Sequence, residues 1–236
     1  MPTEETLVRA MTWNIHGTLG GNARYDLARV VELVRHWNPD VVALQEIDSR
    51  RRDPVIGDPF EFLQNDLGHY GIGAKSVQSA DGEYGQMLLS RWPLDTTEIH
   101  DISWPEREPR RAIRAAVTSP MGPFCVVATH LGLAMRERGA QTRKLLELAG
   151  EGDHATLLLG DFNDWVWAGS VRRKLAAAMP SRTRHRTFPS HWPLLYLDRI
   201  YCRAPGVIVR SWIDPSARAV SDHLAVIADV RIAAPA

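Results

Sequence analysis

Six short stretches of this sequence each set a residue able to handle phosphate or metal at or near the edge of an apolar run. They are Thr12-Trp13-Asn14-Ile15-His16-Gly17, Ala43-Leu44-Gln45-Glu46, Ala128-Thr129-His130-Leu131-Gly132, Leu159-Gly160-Asp161-Phe162-Asn163, Leu197-Asp198-Arg199-Ile200 and Ser221-Asp222-His223. A strand is a rigid rod whose last residue is held by the ladder behind it, so its end places a side chain accurately. Carboxylates, a carboxamide and imidazoles converging from several such ends suit a hard divalent cation and a phosphate group.

Each residue admits a structural as well as a chemical use. Glu46 follows an all-apolar run, where an unpaired buried carboxylate is costly. It reads as a divalent-metal ligand, against a salt bridge to arginine. Asn14 offers a neutral oxygen beside it, against a strand-end asparagine capping a turn. Asp161 would orient or deprotonate an attacking water, and Asn163 would hydrogen-bond a phosphoryl oxygen as charge builds up. Taken alone, that pair also fits a helix N-cap. Gly160 would let the backbone pass close to whatever the acid holds. Asp222 and His223 precede an apolar strand, and a bond from Asp198 would fix the imidazole tautomer and raise its basicity. His130 closes an apolar run, where a lone histidine is commonly structural. His36, His69, His100, His154 and His185 read as surface residues. Trp165 and Trp167 read first as core packing, with base stacking or insertion at a lipid interface as the other uses.

Periodicity and turn chemistry define the elements that must position these residues. Strands are expected over 7–13, 41–44, 84–90, 96–102, 112–118, 124–129, 156–159, 198–202, 207–212 and 225–232. Helices are expected over 26–37, 59–67, 136–149 and 170–179, with Asn38-Pro39-Asp40 and Gly150 as stops and Ser170 as an N-cap. Asp81-Gly82 and Met121-Gly122-Pro123 mark turns, and 49–58 and 182–193 read as polar loops. No repeat or linker is evident. The site segments run from Asn14 to His223, so any domain cut would split them, and one domain over 1–236 is expected. The expected architecture is α/β: two mainly antiparallel sheets packed together, with helices outside.

Composition is that of an ordinary globular protein, with 44% hydrophobic and 24% charged residues in 236. No apolar run approaches the roughly 20 residues of a membrane helix, and the acidic start Met1-Pro2-Thr3-Glu4-Glu5 is unlike a signal peptide. The expected location is cytoplasmic. Cys125 and Cys202 read as buried free thiols. Net charge is zero but uneven: between Trp165 and Arg210 there are nine basic side chains and one acid, Asp198. That region is either a solvated surface or a positive rim for a polyanion.

Together these motifs resemble the endonuclease/exonuclease/phosphatase superfamily, whose fold is that of pancreatic deoxyribonuclease. The resemblance covers nearly the whole chain, with the six motifs in family order. It implies a four-layer α/β sandwich, two mainly antiparallel sheets packed face to face with helices on the outside, and magnesium-dependent phosphoester hydrolysis, with Mn²⁺ as a possible substitute. It assigns Asn14 and Glu46 to the metal end and Asp222 to a metal or water-structuring ligand. His130 and Asn163 fall to phosphate stabilisation, Asp161 to positioning the nucleophile, and Asp198 with His223 to a carboxylate–histidine pair. Gly85-Gln86-Met87-Leu88-Leu89-Ser90-Arg91 and Glu108-Pro109-Arg110 also look like family elements, placing Gln86 and Arg110, with His16, at the substrate. Abasic-site repair endonucleases usually carry an aspartate where this chain has His16 and a tyrosine near the position of His130. Thr187-Phe188-Pro189-Ser190 looks like bacterial members of the histidine-bearing branch. The expected activity is Mg²⁺-dependent phosphodiester hydrolysis, with nucleic acid or a phospholipid headgroup as substrate and no obligate protein partner. The alternative is a catalytically idle member that serves as a binding module.

Overall fold

The computed structural model describes residues 7–17, 25–50, 56–68, 70–150, 153–165 and 170–232. His69 and Trp167 lie outside the described residues, as does the side chain of Ser170. The chain runs β1 (Val8–Asn14), α1 (Leu27–Trp37), β2 (Val41–Asp48), α2 (Pro59–Leu67), β3 (Tyr70–Ser79), β4 (Gly82–Ser90), β5 (Leu94–Asp101), β6 (Arg111–Ser119) and β7 (Gly122–His130). It continues α3 (Met135–Ala149), β8 (Ala155–Asp161), α4 (Ser170–Ala178), β9 (Ser181–Arg182), β10 (Asp198–Arg203), β11 (Val207–Asp214), a 3-10 turn (Pro215–Ala219) and β12 (Ala225–Arg231).

Local chemistry explains the helix limits. Asp26 caps α1 by accepting from the Arg29 amide, and Asn38 closes it in the left-handed conformation, φ 47°. Asp58 caps α2 ahead of Pro59, whose missing N–H costs nothing in the first turn. The strands β3 and β9 are additions to the sequence reading. β3 carries four polar residues, Lys75, Ser76, Gln78 and Ser79, and two glycines in ten, with no clean alternation, and β9 is only two residues long.

Two six-stranded sheets form, in the orders β11-β12-β1-β2-β4-β3 and β5-β6-β7-β8-β10-β9. In each, one central pair is parallel (β1 with β2, β7 with β8) and the other neighbours are antiparallel. The parallel pairs are bridged by α1 and α3, as parallel neighbours require a crossover. The two sheets therefore share one pairing pattern, although the sequence shows no repeat.

Three apolar clusters separate four layers. Val8, Ala10, Val41 and Ala43 of one sheet meet Val126, Ala128, Leu157 and Leu159 of the other. Met11, Trp13, Val42 and Leu44 face α1 and α2. Val127, Leu158 and Tyr201 face Leu145 of α3 and Leu175 of α4. The expected four-layer sandwich is thus the observed architecture. Both cysteines are free; Cys202 is buried in the inter-sheet layer, which pushes its thiol up to about 12, and Cys125 is half-buried. No helix among the described residues is long and apolar enough to cross a membrane.

Candidate active site

Strand parity brings the site together. Side chains alternate between the two faces of a sheet. Val8 and Ala10 point into the inter-sheet layer, so Asn14 at the end of β1 does too. The same count from Phe124, Val126 and Ala128 leads to His130, and from Ala155, Leu157 and Leu159 to Asp161. Counted back from Ile200 and Cys202, it reaches Asp198. Register then aligns three of them: Asp161 is the cross-strand partner of His130 on β7 and of Asp198 on β10.

Glu46 breaks the count. Val42 and Leu44 face the helices, so Glu46 would follow them, yet it is Ile47 that joins the helix-side cluster. The pairing of β2 with β4 shifts between Gln45 and Ile47, leaving Glu46 as the extra residue of a bulge, with φ 61°. The bulge aims the carboxylate at the site. His16 and Asn163 are also held at positive φ, 49° and 48°. Such backbone costs of order 1–3 kcal/mol each and persists where the surroundings over-determine it.

Asp161 Oδ2 is the hub. It accepts from Asn14 Nδ2 at 3.0 Å and lies 3.7 Å from His130 Nε2 and 4.0 Å from His223 Nε2. The same Asn14 nitrogen donates to Glu46 Oε1 at 2.8 Å, and the Asn14 oxygen accepts from the His16 amide at 3.0 Å. Asn14 therefore presents its amide N–H groups to the two carboxylates and its oxygen to the His16 backbone. His16 Nδ1 stands between Glu46 Oε2 at 3.5 Å and Asp222 Oδ1 at 3.4 Å. His223 Nδ1 is 2.8 Å from Asp198 Oδ2, and Phe188 lies against its ring, with centroids 4.9 Å apart. Ser221 ties this corner to β1, donating to the Asn14 carbonyl at 2.7 Å and accepting from the His223 amide at 3.0 Å.

The electrostatics follow from burial and these neighbours. Burial raises Asp161 to about 6, helped by the charge of Asp198. Burial alone would raise Glu46, but His16, His130 and Asn14 together hold it down at about 2. Burial lowers His130 to about 3, with Arg110 adding to the effect. Burial also opposes charge on His223, yet Asp198 overrides it and lifts the imidazole to about 10. His16 is raised, chiefly by its bond to Glu46.

Several expected roles shift. Gln86 is buried and its Nε2 donates to the Arg111 carbonyl at 2.6 Å, so it braces the two sheets rather than facing substrate. Arg110 is buried as well, with Nη1 2.5 Å from Glu108 Oε1 and 3.5 Å from His130 Nδ1. Asn163 donates Nδ2 to the Leu131 carbonyl at 2.8 Å, and its own amide donates to Asp161 Oδ1 at 2.8 Å. It locks the Asp161 loop and does not cap a helix. Gly160, at φ 151°, is needed because a Cβ there would fall on the Thr129 carbonyl of β7, not because of anything the acid holds. Trp165 is 53% exposed, against core packing. His185 is half-buried on Ser211, 2.9 Å away. Tyr84 went unremarked in the sequence; it shares the inter-sheet parity of Gln86 and Leu88, and its buried phenol is pushed well up by burial and by Glu46. Only that parity signals it.

The donor set fits a divalent cation at the Glu46 corner. Glu46 and Asp222 supply hard oxygens that converge on one imidazole, His16, and the shielded Asp222 Oδ1 has no hydrogen-bond partner among the described residues. Asp161, Asp198 and His223 also bring ligand atoms within 4.8 Å of one another. There, however, Asp198 and His223 are bonded to each other, which marks a carboxylate–imidazole couple rather than a cation cage.

Residues 11–223 match the model of the Endonuclease/Exonuclease/phosphatase family. Uncharacterized protein YbhP of Escherichia coli strain K12 is 30% identical over 255 residues, covering 98% of each chain. An endonuclease/exonuclease/phosphatase structure from Beutenbergia cavernae covers 97% of this chain and 72% of its own, with TM-score 0.75 and 21% identity. The mannosyl-6-phosphatase Bt3783 of Bacteroides thetaiotaomicron covers 94% and 99%, with TM-score 0.75 and 15% identity. Members of this family hydrolyse phosphoesters and typically use divalent metals. With its motifs gathered at one end of the sandwich and the family model spanning them, the chain belongs to the endonuclease/exonuclease/phosphatase family.

Proposed function

We propose that this protein is a Mg²⁺-dependent phosphodiester hydrolase. The observation that carries the reading is the position of Asp161 Oδ2, within 4.0 Å of Asn14, His130 and His223 at once. A Mg²⁺ ion held by Glu46 and Asp222 would polarise a phosphoryl oxygen. Asn14 holds the Glu46 and Asp161 carboxylates in fixed relation. Asp161, raised to about 6, is a base suited to neutral pH: it orients a water and takes its proton as the water oxygen bonds phosphorus. The phosphorus–alkoxide bond opposite breaks in the same displacement. His223, kept protonated by Asp198, and the N–H of neutral His130 stabilise charge on the phosphoryl oxygens. Asn163 acts on Asp161 rather than on substrate, and His16 and Arg110 border the site.

The test is hydrolysis of bis(p-nitrophenyl) phosphate, p-nitrophenyl phosphate, DNA, RNA and sphingomyelin with Mg²⁺, Mn²⁺ or EDTA. Turnover of a diester that EDTA removes and Asp161→Asn abolishes is the expected result. A protein inert on every substrate with either metal, or equally active in EDTA, overturns the reading.

A further inference from the structure

A second cavity, of about 710 Å³, opens on the outer side of the sheet that carries Asp161. Its walls are the β10 residue Arg199, Arg172 and Arg173 of α4, and Arg182, Arg184 and Arg186 of the segment before β10. Parity separates it from the reaction centre. Asp198 points into the inter-sheet layer, so Arg199 points to the opposite face, with Tyr201 and the α4 side.

The charge in this cavity is unbalanced. Six arginines face one carboxylate, Asp164, which is paired with Arg172 at 3.1 Å. Arg173, Arg182, Arg184, Arg186 and Arg199 have no carboxylate within 4.0 Å among the described residues. Arg199 is 4% exposed and gives hydrogen bonds only to the Tyr196 and Thr183 carbonyls, at 3.1 and 3.4 Å. Its charge is disfavoured by burial and by Arg172 and Arg182. Arg199 alone of the six is buried, and a buried cation without a counter-charge is costly, a cost that an anion in the cavity would relieve.

We propose that this cavity is a polyphosphate-binding site, separate from the reaction centre and independent of the metal. Guanidinium forks match phosphate oxygens in pairs, and six of them suit several linked phosphates better than one. The shape favours a compact ligand over a nucleic-acid chain. The arginines converge on one cavity of ligand size instead of running as a stripe. Both aromatic rings of the lining already carry guanidinium groups: Tyr196 has Arg186 and Arg199 at 5.6 and 5.3 Å, and Trp165 has Arg138 at 5.6 Å. The chain as a whole is neutral, unlike most dedicated nucleic-acid binders. Inorganic tripolyphosphate and a nucleoside triphosphate present the same group and are separate arms of the test.

The experiment is calorimetric titration of the whole protein in EDTA with tripolyphosphate, ATP and orthophosphate, with thermal unfolding alongside. Tripolyphosphate is expected to bind at least ten times tighter than orthophosphate and to raise Tm. Tighter binding of ATP would identify a nucleotide as the ligand, and equal binding the free polyphosphate. The R173Q/R184Q/R186Q variant should lose at least ten-fold, while Glu46→Gln binds like wild type. Arg184 is exposed and has no hydrogen bond or ion pair among the described residues, so Arg184→Gln alone keeps the fold and should lose about three-fold. Undiminished binding by either arginine variant, or loss of binding in Glu46→Gln, overturns the proposal. So does a single-stranded 20-mer DNA that binds through these arginines and is not displaced by tripolyphosphate. Arginine-dependent pelleting with phosphatidylglycerol vesicles, without tripolyphosphate binding, overturns it as well.

Discussion

His223 Nδ1 meets Asp198 Oδ2 at 2.8 Å, and the ring's far nitrogen faces Asp161 Oδ2 at 4.0 Å. Asp198 thereby orients the His223 ring and keeps it protonated against burial. We predict that His223→Ala and Asp198→Ala are strongly non-additive in kcat, because they act as one unit. The single His223 change should cost about 10²–10⁴ in rate. Additive losses in a double-mutant cycle would sink the pairing.

Glu46 is placed by a bulge whose geometry does not depend on its charge. Glu46→Gln should keep the fold, remove Mg²⁺-dependent turnover and abolish the rise in Tm on adding Mg²⁺. Near-wild-type rates at limiting Mg²⁺ would show that the metal sits elsewhere.

In the metal-free protein two buried groups of the site oppose each other as acid is added. His130 titrates near 3 when folded and near 6.5 when unfolded. Between those values the unfolded chain binds the extra proton, so His130 lowers stability as pH drops through 6.5, whereas Asp161, about 6 when folded and 3.8 when unfolded, raises it as pH drops through 6. Glu46, held at about 2, contributes stability above about 4.5 that is lost below it. His130→Asn should therefore remove the falling contribution and leave stability rising as pH drops from 6.5 to 4.5 in urea midpoints measured in EDTA. An unchanged slope there would show that His130 is not buried in its neutral form.

Gly160 lets β8 pass against β7. In Gly160→Ala, the new methyl group meets the Thr129 carbonyl at a φ of 151°, and the cost should exceed about 1 kcal/mol. A Tm within a degree of wild type would mean the strands separate at no cost.

Gln86 tests bracing against substrate contact. Gln86→Ala leaves the Arg111 carbonyl without its side-chain donor and should cost about 1–3 kcal/mol in stability, with KM unchanged. A raised KM at unchanged stability would return Gln86 to the substrate.

The sequence by itself determined ten of the twelve strands, the helices, the packing of two sheets and the identity of most site residues. Apolar alternation in β1, β7, β8 and β10 already carries the parity that sends Asn14, His130, Asp161 and Asp198 to one face. Tertiary structure alone decided what these side chains do. Register across β7, β8 and β10 made Asp161 the hub, and long-range partners turned Asn163 and Gln86 into braces. The Glu46 bulge was illegible because a positive φ at a non-glycine residue comes from pairing with β4, not from local preference. The shared pairing pattern of the two sheets was hidden for a related reason: many apolar sequences satisfy one strand order. The basic stretch read equally as surface or rim until packing of α4 against the segment before β10 closed its arginines around one cavity. Propensity acts over a few neighbours in the chain, whereas charge and register act between residues that only folding brings together.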